Sequence, residues 1–140
     1  MAKSKAKRNS LWPSTLKHIG GTDFGGFLRD QALDLRHLVD DAFEVSIETR
    51  IVESVIIYNF VIVLPKQDYR YQLFSLRTIG DDFPARVVAP HMPEPRQVVP
   101  VNSRDELEEE LRDMFHDANT VRVVNRLASE ARDDALKDRQ

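Results

Sequence analysis

The chain contains no cysteine. Disulfides, thiolate nucleophiles and zinc sites built on sulfur are therefore excluded. It also lacks an apolar run long enough to cross a bilayer. The longest spans positions 55–64 and includes Asn59, whereas a spanning helix needs roughly 20 residues. The basic start, with Lys3, Lys5, Lys7 and Arg8, is not followed by the apolar stretch of a secretory signal. Glycine is scarce, and four of the five glycines lie within residues 20–26. That segment precedes a helical pattern, where backbone N–H groups can hold an anion. It has neither the G-x-G-x-x-G spacing after a strand nor the lysine of a phosphate loop. Its Asp-Phe-Gly triplet stands without the other kinase elements, so it reads as a connector leading into a helix. Gly-x-Ser-x-Gly and Glu-x-Lys are absent as well. These absences describe a soluble cytoplasmic protein with no cofactor, no metal and no catalytic set.

The 140 residues, 41% of them hydrophobic, suit one domain that buries roughly 68–70% of its unfolded surface. Residues 1–10 are expected to form a disordered basic tail, and residues 11–138 a single α+β domain. The net charge of −3 is unevenly distributed. Residues 1–19 carry five cations and no acid, while residues 20–102 and 103–140 are each net −4. An acidic body repels phosphate backbones, so weak, salt-sensitive nucleic-acid contact is expected only from the tail, at Lys3, Lys5, Lys7 and Arg8.

Apolar periodicity orders the rest. Residues 11–19 form an apolar island around Trp12, Leu16 and Ile19, expected to dock on the domain because an exposed Trp is costly to solubility. A helix is expected over residues 27–42, with Phe24, Phe27, Leu28, Leu35, Leu38, Val39 and Ala42 on its buried stripe. Leu33 is an apolar exception on the polar face. At Phe43 the period changes from 3.6 to 2. Phe43, Val45, Ile47 and Ile51 alternate with Glu44, Ser46, Glu48 and Arg50, the mark of a strand with one wet face. Residues 55–64 are apolar on both faces and rich in β-branched residues, which suits a central strand or one whose second face meets another subunit. Further strands are expected over residues 69–76, 83–89 and 96–101, with Pro84 marking an edge or bulge. Ser103 and Glu106 form a capping box. The helix after it buries Leu107, Leu111, Met114, Phe115 and Ala118. Asn119 ends that helix and Thr120 can cap the next, which continues through Val121, Val124, Leu127, Ala128 and Ala131. Residues 121–124 also fit a strand, and residues 133–140 are expected to fray.

Two helices carry Asp-x-x-His, at Asp34 with His37 and at Asp113 with His116. Such pairs can supply metal ligands from facing helices, but all four residues lie off the apolar stripes and read as solvated. His91 and Glu94, in a proline-stiffened loop, follow Asp81 and Asp82 and offer one alternative, an acid–base site in residues 81–94. The order helix, strands, helix superficially fits a double-stranded-RNA-binding domain. The last helix would then need a basic start, and here it begins Arg-Asp-Glu-Leu-Glu-Glu-Glu.

These patterns predict an α+β fold: a mainly antiparallel sheet of four to five strands, packed by an N-terminal helix and one or two C-terminal helices. The element order and acidic body are loosely similar to the small dimeric chaperones of secretion systems, a likeness of fold without a shared motif. The expected function is non-enzymatic binding or assembly, adaptor- or chaperone-like, as a homodimer or with a protein partner. The interface candidates are Leu33, Val55, Ile57, Val61 and Val63. The runner-up is a nucleic-acid accessory role through the tail, ahead of the acid–base enzyme.

Overall fold

A computed structural model describes residues 23–80 and 82–139, with side chains through 133. The order is α1 (Phe24–Leu38), β1 (Glu44–Val52), β2 (Val55–Leu64), β3 (Tyr69–Ile79), β4 (Asp82–Val88), β5 (Val98–Val101), α2 (Arg104–His116) and α3 (Ala118–Arg139). This is the α+β class expected, with a five-stranded antiparallel sheet in the order β1-β2-β3-β4-β5. Short links enforce the meander, because a parallel crossover needs a dozen residues or more. Glu53 and Ser54 alone join β1 to β2, with Glu53 left-handed at φ 57°. A 3-10 turn, Pro65–Gln67, and left-handed Asp68 join β2 to β3. The expected tail at 1–10, its cations, and the island at 11–19 lie outside the described residues.

Helix α1 starts earlier than its apolar stripe suggests. Asp23 caps it, its Oδ1 accepting from the Gly26 amide at 2.9 Å. A Cβ at Gly26 would lie 2.2 Å from that carboxylate, so glycine allows the cap to close. Gly25 and Gly26 are thus helical, not connector. The helix also stops earlier, because Asp40 and Asp41 both take left-handed φ, near 54° and 55°, a conformation aspartate tolerates better than most. The reversal returns Val39 and Phe43 to the core and leaves Leu38 81% exposed, off the stripe assigned to it.

Strand alternation holds in β2 and fails in β3. Tyr58, Phe60, Ile62 and Leu64 point into the core. In β3 the register slips opposite Phe60 and Val61, so Leu73 and Phe74 are both buried rather than alternating. Pro84 lies in β4 just outside the span that pairs with β5, which begins at Ala85, so its missing N–H interrupts no β4–β5 bond. Phe60 stacks on Phe74 at 4.9 Å between centroids, and Phe115 of α2 tilts against Phe74 at 5.8 Å. Phe24 of α1 meets Phe83 edge-on at 5.1 Å.

Ser103 caps α2 by accepting from the Glu106 amide at 3.2 Å, and Glu106 reaches back to the Asn102 amide at 2.9 Å. The break before α3 falls at Asp117, whose ψ is 142° and whose Oδ1 accepts from the Asn119 amide. Asp117 therefore takes the capping role expected of Thr120, and Ala118 is exposed. Residues 121–124 are helical, and α3 continues through Arg139 where fraying was expected. Among the described residues, no helix is long and apolar enough to cross a membrane.

Candidate interaction surface

All three helices pack on one face of the sheet. Phe24 contacts Tyr58, Phe115 contacts Phe60, and Leu107, Leu111, Met114, Leu127 and Ala128 join the same core. Among the described residues, no helix or strand covers the other face.

The register assigns that second face row by row, because directly opposed residues of an antiparallel pair share a side. Val52, Val55 and Ile79 form one row. Next come Arg50, Ile57, Arg77, Arg86 and Pro100, then Glu48, Asn59, Ser75, Val88 and Val98. Ser46, Val61 and Gln72 follow, and Glu44, Val63 and Arg70 end the face. Four of the five interface candidates, Val55, Ile57, Val61 and Val63, therefore stand together here. Val61 is buried and the other three are half-buried. Leu33 is half exposed on α1, beside the β1 edge near Val45 and Ile47. The pairing was legible in principle. The wet face of β1 and a two-residue hairpin put the odd positions of β2 beside Glu44, Ser46, Glu48 and Arg50.

The charges and polar groups on this face were not legible. Arg77 and Arg86 sit directly opposite each other across β3 and β4, and like charges so placed destabilise a sheet. Arg50 shares their row with only Ile57 between it and Arg77. Glu48 is engaged by Arg70, and Asp82 accepts from the Phe83 amide at 2.7 Å. One row away, Ser75 is fully buried and its hydroxyl has no hydrogen-bond partner. Asn59 beside it is also buried.

Elsewhere, an apolar cleft of about 270 Å³ opens between α1 and α3, lined by Leu35, Leu38, Phe60, Leu73, Phe115 and Val124. The proposed acid–base loop is not assembled. Asp82 begins β4 and His91 follows its far end, separated by a seven-residue strand, or about 20 Å at ~3.3 Å per residue. His91 is more than a loop residue: its Nε2 lies 2.6 Å from Thr120 Oγ1. The same hydroxyl lies 3.8 Å from Met92 Sδ. Burial pushes the imidazole below its ordinary pKa, against the Leu73 backbone and Asp117, which pull it up. Asp34, His37, Asp113 and His116 are all exposed, and His116 Nδ1 meets the Arg112 carbonyl at 2.8 Å. Among the described residues, no group of three or more His, Asp or Glu side chains stands together as a metal site.

No protein-family model, no curated protein and no solved structure matches the chain.

Proposed function

We propose that this chain is a non-enzymatic binding or assembly protein that docks a protein partner, either a second copy of itself or another chain, on the sheet face that no described helix covers. One observation supports this above the others: Val55, Ile57, Val61 and Val63 share a face that no described helix covers. On the same face Val52, Ile79 and Val98 are 44–70% exposed, apolar area of the kind that marks interaction sites. The cysteine-free composition supports a reducing compartment, the cytoplasm. Lys3, Lys5, Lys7 and Arg8 add a weak polyanion contact beside this role.

Light scattering after size exclusion at micromolar concentration tests the second copy, and a monomer mass at every concentration removes it as the occupant. Ile57→Asp tests the face itself. The expected outcome is a folded protein with any association lost. If Ile57→Asp unfolds the chain as a core substitution does, the face is core and not a docking surface.

A further inference from the structure

We propose that the apolar cleft between α1 and α3 is filled by the chain's own residues 11–19, with Trp12 and Leu16 as the anchors.

The cleft is the first observation. It encloses about 270 Å³, with Phe60 and Leu73 of the sheet at its floor. At one end α3 is tied to the end of α1, where Arg132 donates to the Val39 carbonyl at 3.2 Å. The walls are apolar and reach solvent. Leu38 on the α1 side is 81% exposed, and Val121 on the α3 side is 44% exposed. Leu35, Phe115 and Val124 beside them are only half-buried. Apolar side chains gathered in this way around a concave gap mark a place where another apolar group packs.

The reach of the chain is the second observation. The described chain begins at Asp23, the cap of α1. The cleft runs beside α1 from Gln31 to Val39, about 12 to 24 Å from Asp23 at ~1.5 Å per helical residue. Extended chain covers about 3.3 Å per residue, which lets Ile19 reach about 13 Å back along the helix, Leu16 about 23 Å and Trp12 about 36 Å. The segment therefore spans the cleft antiparallel to α1, and Trp12 has slack to turn inward. The path must reverse between Ile19 and Asp23, and Gly20 and Gly21 stand at that point.

The chemistry of the segment matches the cleft. Leu11, Trp12, Leu16 and Ile19 are apolar, and the indole offers the largest area to bury. Charge agrees as well. Asp34 lines the cleft, and Asp30 stands one turn earlier on the same helix. Both are exposed, and among the described residues neither is in an ion pair. Residues 1–19 carry five cations and no acid, with Lys17 inside the docking segment. Opposite charge thus favours this segment over an acidic one.

Trp12 is the only tryptophan, so its fluorescence reports on the segment in the intact, unlabelled chain. In native protein its emission should lie at shorter wavelength than in the urea-unfolded chain, and acrylamide should quench it less. Leu38→Asp and Val121→Asp alter exposed positions, so the fold, checked by circular dichroism, should survive. Each should move the emission toward the unfolded value and remove most of the protection from acrylamide. Leu38→Ser serves if Leu38→Asp fails to fold. Asp34→Lys should act in the same direction, less strongly, and mainly at low salt. Leu33→Asp, exposed on α1 outside the cleft, should change nothing. Native emission equal to that of the unfolded chain would overturn the docking. A protected Trp12 indifferent to Leu38→Asp and Val121→Asp would overturn the cleft as its location. Protection that is lost on dilution, in step with a dimer mass from light scattering, would place the segment in a second copy's cleft and overturn the assignment within one chain.

Discussion

The two faces of β2 are built from nearly the same residue types but differ in what surrounds them. Phe60 and Ile62 point toward α1, α2 and α3 and are at most 1% exposed. Ile57 and Val63, one step out of phase, are half-buried beside arginine and glutamate. The difference teaches that β-branched content describes a strand's fitness for a sheet, not the fate of either side. On the first face, apolar area is removed from water by three helices and stacked rings. On the second, Val61 is buried as well, while Ile57 and Val63 are only partly covered, in part by charged stems from neighbouring strands.

The most drastic way to break the comparison is to truncate one residue on each face. Phe60→Ala should cost about 3–5 kcal/mol, through lost transfer energy and the cavity left beneath Phe74 and Phe115. Ile57→Ala should cost under about 1 kcal/mol, because a half-exposed side chain leaves no closed cavity. Urea denaturation measures both, and equal losses would mean that the two faces are equally buried.

A buried hydroxyl on each face sharpens the contrast. Thr78 lies on the core side opposite Ile56, and its Oγ1 is unpartnered like that of Ser75. Thr78→Val and Ser75→Ala should each raise stability by about 1 kcal/mol, since each removes an unsatisfied group. Urea denaturation measures both, and a loss of stability in either variant would show that its hydroxyl has a partner.

The opposed arginines have a smaller effect. Arg77→Thr or Arg86→Thr should stabilise the fold by roughly 0.2–1 kcal/mol and so raise the melting temperature modestly, because it relieves a like-charge pair and adds a β-branched residue. The gain should shrink in high salt as the repulsion is screened. A lowered melting temperature would show that the arginines stabilise the face by themselves.

The smallest predicted effect is at the edge of the helical layer, where His91 tethers its loop to the first turn of α3. Its folded pKa lies below the ordinary histidine value. As pH falls, the unfolded chain therefore takes up the proton before the folded one, so stability is held above about pH 6.5 and declines beneath it. Melting scans on either side of that pH should show the decline in the wild type and a flatter profile in His91→Gln. A decline of unchanged size in His91→Gln would assign it to other groups.

The change of period at Phe43, the capping box at Ser103 and Glu106 and the apolar stripes of α2 and α3 were written in the sequence. They depend on backbone geometry repeating every two or 3.6 residues and on groups a few positions apart. The same locality makes Val55, Ile57, Val61 and Val63 recognisable as one side of one strand. Local pattern could not place the ends of α1, where a glycine beneath a carboxylate and two left-handed aspartates overrule the stripe. It could not anticipate the slip that buries Leu73 with Phe74. Nor could it say which side of β2 the helices would take, since an apolar strand is symmetric until its neighbours are known. Arg50, Arg77 and Arg86 are far apart along the chain, and only the register of three strand pairings puts them in one row. That juxtaposition is a property of the folded sheet, because cross-strand contact depends on pairing and not on sequence distance.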